Sequence, residues 1–241
     1  PGAPGEGQAP GAVACVSSHV YGTEIAAHIE GDADCVSRTD VTARNLATSA
    51  AGVEFVLHTG SGDVTADDSI AAASQGVFED IVGAMGVEDG KGALEICSDQ
   101  PLEVVARIFN QSPTGGTFGQ FLQGYPGGAG LATGQAAQLL GLRQEEGVFR
   151  TNISVTNTGL DTATVRITLY ANNGTELHSY TLEVGSGMVY QDTQPFKRRA
   201  GRPNLGFGYA LVEVTQGYGI LTSASVIDDV TNDATTILMK Q

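Results

Sequence analysis

The chain has 241 residues, of which 41% are hydrophobic, 16% are charged and 33 are glycine, and its formal net charge at pH 7 is −15. Few charges and about twice the usual share of glycine are unlike the composition of helical bundles and coiled coils, so we expect β structure. The acidity opposes binding to nucleic acid and to anionic membranes, because both interactions need a cationic surface.

Residues 1–12 consist of Pro, Gly, Ala, Gln and Glu, which cannot form a core, and they predict an extended tail. The chain begins at Pro1 rather than Met, which removal of a secretion signal would explain, as would trimming. The three cysteines include no Cys-x-x-Cys pair, and we favour a Cys15–Cys35 disulfide over the alternative of three unpaired, buried thiols, Cys97 among them. No run of about 18 apolar residues is present, so we expect no membrane insertion.

The most informative pattern is an internal repeat. Residues 38–45 (RTDVTARN) resemble residues 150–157 (RTNISVTN), and the same offset aligns the apolar residues of 53–57 with those of 165–169. Residues 93–96 and 104–110 then match residues 211–214 and 222–228 at a slightly larger offset. The repeat predicts two copies of one module, each of about 110 residues.

In the first copy, residues 52–59 predict a strand, which the turn Gly60-Ser61-Gly62 ends. Apolar residues at helical spacing predict one short helix within 78–86, with Gly86 as its stop. Residues 93–97 and 102–110 predict two further strands, which we expect to form a hairpin.

In the second copy, residues 162–171 alternate, with Val165, Ile167 and Leu169 on the core face and Arg166 and Thr168 on the other. The turn Asn172-Asn173-Gly174 and the strand 176–184 complete a hairpin. Residues 209–215 and 220–228 predict a second hairpin, and residues 234–239 a last strand. Short strands with turns at this spacing predict an antiparallel sandwich in each copy.

The histidines carry no recognisable catalytic pattern. Acyl transfer needs a nucleophile, a base and an orienting acid, and the sequence has no Gly-x-Ser-x-Gly elbow. We expect His58 and His178 to face solvent from their strands. His28 with Asp32, Asp34 and Cys35 is the one grouping that could converge on a metal, and an acidic loop is the alternative reading. No catalytic and no cofactor-binding residue is predicted.

Calcium is the one cofactor that we consider, since carboxylates are hard oxygen ligands. The candidate ligands form two acidic groups, each expected in one loop: Asp63, Asp67 and Asp68, and Asp228, Asp229 and Asp233. Neither group fits the EF-hand loop, and a solvated acidic turn is the alternative reading.

Two further surface features, the N-glycosylation triplets and a basic cluster, predict no specific function. The triplets at Asn152 and Asn173 match the N-glycosylation pattern, and only the second lies in a predicted turn. The single basic cluster, Lys197-Arg198-Arg199 with Arg202, is interpreted as a solvated loop, with anion contact or protease sensitivity as alternatives.

Several segments together resemble a known module. They are residues 77–86 (VFEDIVGAMG), 117–121 (TFGQF), 139–144 (LLGLRQ) followed by 149–153 (FRTNI), 163–170 (ATVRITLY) and 224–233 (ASVIDDVTND). Over most of residues 25–240 the chain is similar to tandem Ig-like β-sandwich modules of secreted and cell-surface proteins of environmental bacteria. The match departs from the pattern at residues 197–208 and at the Gly-rich linker. The resemblance implies a fold and a location, and it carries no catalytic motif.

The expected fold is all-β, with two tandem Ig-like antiparallel β-sandwich domains and one short helix in the first. The expected boundaries are 1–12 for the Pro/Gly-rich tail, 13–122 for the first sandwich, 123–133 for a Gly-rich linker and 134–241 for the second sandwich. We expect a secreted, extracellular or cell-surface protein of bacterial source.

The functional expectation is a non-enzymatic extracellular structural protein that forms a homopolymer, with copies of itself as partners. Sandwiches have edge strands, and an extended N-terminal segment with apolar side chains at Val13, Cys15, Val20 and Tyr21 can pair with a neighbouring edge. The alternative is a carbohydrate- or calcium-binding accessory module of a larger secreted protein, with a glycan as its partner.

Overall fold

The computed structural model describes residues 17–30, 36–111 and 115–241. Within them, the first part of the chain forms β1 (His19–Glu30), β2 (Val36–Asn45), β3 (Ala51–Thr59), β4 (Gly62–Ile70), β5 (Gln75–Phe78), α1 (Ile81–Ala84), β6 (Gly90–Ser98), β7 (Leu102–Gln111), β8 (Thr117–Gln123) and β9 (Tyr125–Pro126). None of the helices in this described part is long and apolar enough to cross a membrane.

The second part forms the corresponding series. It consists of β10 (Ala136–Glu145), β11 (Phe149–Asn157), β12 (Ala163–Ala171), β13 (Glu176–Val184), β14 (Val189–Thr193), α2 (Pro195–Arg198), β15 (Asn204–Gln216), β16 (Ile220–Asp228) and β17 (Ala234–Leu238).

The two parts have the same strand order. The first sheet runs β4-β3-β6-β1-β2-β7-β8 with β5 beside β2, and the second runs β13-β12-β15-β10-β11-β16-β17 with β14 beside β11. The paired strands are antiparallel throughout. The repeat in the sequence therefore corresponds to a repeated topology. Strands β1 to β8 match β10 to β17 in order, and β9 has no counterpart in the second part.

Each sheet folds over at one hairpin. β1 pairs with β6 along most of its length and meets β2 only at Ile29 and Glu30, and β10 meets β11 only through Glu145 and Phe149. The two halves of each folded sheet pack against each other and enclose an apolar core, as in a β-sandwich. Phe55 and Leu57 lie in the first core, and Ile153 and Ile167 lie in the second.

One predicted hairpin is confirmed and two are wrong. The β12–β13 hairpin forms, with Gly174 in its turn at positive φ. The predicted turn at Gly60-Ser61-Gly62 also forms, with Gly62 at positive φ, but it leads into strand β4, where the sequence predicted an acidic loop. β15 and β16 do not pair with each other, and neither do β6 and β7, because each of these four strands bonds to partners on its own face of the sandwich. Period-two alternation locates strands but does not say which strand lies beside which.

The alternation in β12 is confirmed on the core side. Val165, Ile167 and Leu169 are fully buried and Arg166 is exposed. Thr168 is buried as well, where its hydroxyl meets that of Ser179 at 3.0 Å. The expected outward face of this strand is therefore covered in part by its neighbours.

The predicted short helix is confirmed as α1, and it is followed by Gly86 at a φ of 81°. A second helix, α2, was not expected and forms in the basic cluster that we interpreted as a solvated loop. Lys197 donates a hydrogen bond to Glu146 at 2.7 Å, and Arg199 pairs with Asp192. Lys197 and Arg199 are therefore held by carboxylates of their own chain, and the loop interpretation is corrected for the residues of α2.

The segment expected as a linker, residues 123–133, is bonded to both sheets. Tyr125 and Pro126 form β9 and pair with β1. Leu131 is fully buried in the second core and exchanges two backbone hydrogen bonds with Ile220.

Among the glycines that the structure describes, Gly92 is the one at which a neighbouring backbone comes closest. A Cβ added there would lie 1.9 Å from the carbonyl oxygen of His58 in the neighbouring strand, so β3 and β6 would have to separate. We expect Gly92→Ala to lower the free energy of unfolding by about 3 kcal/mol or more, measured by chemical denaturation. The control is Gly60→Ala, whose added Cβ meets nothing within 4 Å. Equal stability of the two variants would contradict this packing.

Candidate functional site

The first acidic group expected as a calcium site is not a loop. Asp63, Asp67 and Asp68 lie on strand β4, where the side chains of adjacent residues point to opposite faces. Asp63 accepts a hydrogen bond from His58 Nδ1 at 2.8 Å. The structure therefore separates these carboxylates and gives Asp63 another partner.

The second acidic group does lie at the β16–β17 connection. One carboxylate oxygen of Asp228 accepts the N–H groups of Val230 and Thr231, which lowers the pKa of Asp228, and Asp229 pairs with Arg150. Within residues 17–30, 36–111 and 115–241, no group of three or more His, Cys, Asp or Glu is arranged to hold a metal ion. Calcium binding stays a prediction.

The cysteine pairing and part of the subunit contact fall outside the described residues. Cys15, Cys35 and Val13 lie there, as do Asp32 and Asp34 of the His28 grouping. Cys97 is disulfide-bonded in the structure. Because the chain has three cysteines, a bond from Cys97 within this chain competes with the predicted Cys15–Cys35 pair.

The other two residues of the predicted subunit contact belong to the chain's own sheet. Val20 and Tyr21 in β1 pair with Cys97 and Ile96 of β6. The Tyr21 hydroxyl accepts the N–H of Leu102 at 2.8 Å. The backbones of Val20 and Tyr21 are therefore engaged in the chain's own first sheet.

The structure also places the other two predicted histidines and the two glycosylation triplets. His28 bonds to Asp80 at 2.9 Å, and His178 stacks on Tyr180. Asn152 lies within β11, whereas Asn173 is exposed in the β12–β13 turn. Only Asn173 of the two glycosylation triplets thus lies in an exposed turn.

The expectation for His58 is wrong, because its side chain is 4% exposed and lies between two carboxylates. Its Nδ1 bonds to Asp63 at 2.8 Å, and its Nε2 lies 3.4 Å from Glu95. A ring with an acceptor at each nitrogen is best satisfied when both nitrogens carry protons. Burial lowers the pKa of His58, but the carboxylates of Glu95 and Asp63 outweigh it, and the net pKa is raised.

A loop from the second sheet closes over this cluster. Gly187, in the β13–β14 connection, has a φ of 70°, and a Cβ there would lie 2.9 Å from Cγ of His58. Gly187 also donates its N–H to Asn157 at 2.9 Å. His58 is therefore buried by the other copy of the module, which strand periodicity within β3 could not indicate.

Glu24 is the second ionisable group at the boundary between the two copies of the module. It lies at a break in the β1–β6 register between Thr23 and Ala26, and such bulges redirect side chains. Its side chain is almost completely buried, and among the residues that the structure describes neither carboxylate oxygen has a partner with hydrogen-bond geometry. Ser223 of β16 and the Tyr125 hydroxyl face it. The Glu24 backbone carbonyl accepts a hydrogen bond from Thr156 Oγ1 at 2.5 Å.

Removal from water dominates the electrostatics of Glu24. Burial raises its pKa to about 7, and the Ser223 and Tyr125 hydroxyls only partly oppose this. Burial and the nearby Glu24 also raise the pKa of the Tyr125 phenol. A neutral carboxyl group is therefore favoured at this boundary up to about neutral pH.

The outer face of β11 and β16 forms the other wall of the boundary. Ser154 and Thr156 on β11 and Ser223 and Ser225 on β16 are all buried, although the same strands bury their opposite side chains in the core. Small side chains let β1 approach this face closely. The aligned positions of the first copy carry exposed residues instead, Arg44 at the position of Thr156 and Arg107 at that of Ser225. This difference between copies was the sequence signal that could have revealed the boundary.

A groove of about 240 Å³ opens at the edge of the same boundary. Ile25, Ile108 and Ile227 contribute apolar surface, and Phe118 lies at the groove with 36% of its surface exposed. Polar side chains reach the groove from both copies: Asn110, Gln120 and Lys91 from the first, and Asn152, Gln191, Arg150 and Asn232 from the second.

Comparison with known proteins gives few matches. No protein-family model and no curated protein matches the chain. Among solved structures, that of Thermotoga maritima 1070 is 16% identical, with 46% of this chain and 96% of that chain covered and a TM-score of 0.35. A Bacteroides uniformis beta-glucuronidase is 10% identical, with 84% and 25% covered and a TM-score of 0.18. A calcium-binding mutant of Bacteroides uniformis beta-glucuronidase 2 is 12% identical, with 91% and 28% covered and a TM-score of 0.18.

Glu24 predicts a pH-dependent stability. Its pKa rises from 4.5 in the unfolded chain to about 7 in the folded one, so between these values only the folded chain keeps the proton. Stability therefore falls as pH rises across this window, by on the order of 3 kcal/mol from this group. We expect Glu24→Gln to remove most of that fall, measured by denaturant unfolding between pH 5 and pH 8. The exposed Glu103→Gln is the control, and parallel profiles for wild type and Glu24→Gln would contradict the prediction.

His58 predicts a second pH effect. Its folded pKa is raised, so its ion pairs contribute fully below the unfolded value of 6.5 and lose their contribution as pH rises through the folded pKa. We expect His58→Gln to lower the melting temperature most at pH 5.5 and less at pH 9. His178→Gln, at a histidine that stacks on Tyr180, is the control. A loss that is the same at both pH values would refute the ion-pair contribution.

Proposed function

We propose that this chain is a non-enzymatic extracellular structural protein, built of two tandem Ig-like β-sandwiches, that assembles with copies of itself at a bacterial cell surface. The observation that carries the proposal is the strand order. β8 and β17, one end of each sheet, contact each other through a 2.6 Å bond from Thr236 Oγ1 to the Phe121 carbonyl. The opposite ends, β4 and β13, are nine residues long and pair on one side only within the described residues.

Unpaired edges of this length are pairing surfaces unless something blocks them. β4 carries Asp63, Asp67 and Asp68, and β13 carries Glu176 and Glu183, so direct β4–β13 pairing between copies would bring like charges together. An uncharged strand avoids this repulsion. Residues 1–16 contain a single charged side chain, Glu6, and suit that role.

The placement of His58 supports a non-enzymatic role. Both nitrogens of buried His58 face carboxylates, so this ring is not placed to activate a hydroxyl nucleophile. The Cys97 sulfur is held in a disulfide. The polar boundary between the copies fits a rigid tandem unit, which a repeating assembly needs.

The second candidate function is a carbohydrate- or calcium-binding accessory module of a larger secreted protein. The amide-lined groove favours carbohydrate, because amides recognise hydroxyl groups, while calcium sites are built from converging carboxylates.

Deleting residues 1–16 tests the assembly. The deletion leaves β1 intact, and we expect the shortened chain to remain monomeric where the full chain forms polymers, measured by analytical ultracentrifugation and electron microscopy. Because the deletion also removes a cysteine, full-length Cys15→Ser is the control and should still assemble. A shortened chain that polymerises like the full one would refute the donor segment, and a monomeric full chain would refute the polymer.

A further inference from the structure

We infer that the groove between the two copies of the module is an oligosaccharide-binding site. Its occupant would accept hydrogen bonds from amide N–H groups of both copies and lay its C–H surface on the apolar residues. The inference rests on the second candidate function and not on assembly, so the two can fail separately.

The amides at the groove have a fixed orientation. The Asn110 side-chain oxygen accepts a hydrogen bond from the Ser37 hydroxyl. The Asn152 oxygen accepts the N–H of Gln194 at 3.3 Å, and this N–H is shared with the Thr151 carbonyl at 2.9 Å. The Asn232 oxygen accepts one from Arg150 at 3.2 Å. With each oxygen engaged by the protein, the three NH₂ groups are the ends left to donate to a ligand.

The other polar atoms add one acceptor and one cation. Gln120 Oε1 is buried and has no hydrogen-bond partner in the described part of the chain, which is costly in the absence of a ligand. Arg150 is neutralised by Asp229, whereas the structure shows no ion pair for Lys91 within the same described residues. The groove thus offers mainly donors, together with one positive charge, in a chain whose net charge is −15.

A donor-rich groove suits an oxygen-rich ligand. Hydroxyl and ring oxygens of a sugar accept hydrogen bonds, and the C–H faces of its rings can pack on Ile108, Ile227 and the partly exposed ring of Phe118. An extended peptide would need donors and acceptors in alternation, as a free sheet edge provides. The side chains here do not alternate in that way, and the proposal is therefore an oligosaccharide, with Lys91 placed for a carboxylate-bearing sugar.

Asn152→Asp tests the site with little disturbance of the fold. Aspartate keeps the oxygen that accepts the Gln194 N–H but replaces the donating NH₂ group by a charged acceptor. The matched control is Asn173→Asp in the exposed β12–β13 turn, where the Asn173 oxygen also accepts a backbone N–H, that of Thr175 at 3.1 Å. Both variants make the same change in charge, and only one is in the groove.

The experiment applies the full chain to an array of neutral and uronate-bearing oligosaccharides and measures the strongest ligands by calorimetry. We expect binding that Asn152→Asp weakens by at least about tenfold and Asn173→Asp leaves unchanged, with equal melting temperatures for both variants. Lys91→Met should weaken the binding of uronate-bearing ligands more than the binding of neutral ones. Absence of array binding, equal binding by both variants, or binding to a peptide array alone would overturn the proposal, and sedimentation of the same sample reports assembly independently.

Discussion

The cost of keeping polar groups away from water governs the boundary between the two copies of the module. Glu24 is placed there by a bulge in β1, and Thr156 and Ser223 approach it from the second copy. A charged carboxylate without hydrogen-bond partners is expensive in such a place, so the neutral form is favoured. The burial of His58 under Gly187 and the groove lie at this same boundary.

Two copies with one topology have acquired different surfaces. In the first copy, β7 carries exposed Glu103, Val105 and Arg107, and the aligned residues of β16 are the buried Leu221, Ser223 and Ser225. Short side chains remove the bulk and charge that would hold the copies apart. The face that meets solvent in one copy is thus an internal wall in the other, and this asymmetry gives the pair a defined arrangement.

The groove and the ionisable groups are consequences of the same arrangement. Polar side chains that line the groove come from β7, β8, β11 and β14, so neither copy could form it alone. Similarly, His58 is paired within the first copy but sealed by Gly187 of the second. We therefore expect conditions that loosen the boundary, above all rising pH, to affect the groove as well as the stability.

The sequence alone determined the class and much of the local structure. Alternation located strands such as β12, glycine-containing turns located the ends of β3 and β12, and the internal repeat anticipated the shared strand order. These features follow from side-chain period and turn geometry, which act over a few residues. Only the tertiary structure decided that β15 and β16 lie on different faces, that His58 is buried and that Glu24 meets Ser223. These contacts join residues far apart in the chain, and their desolvation depends on how two complete modules pack, which no local pattern encodes.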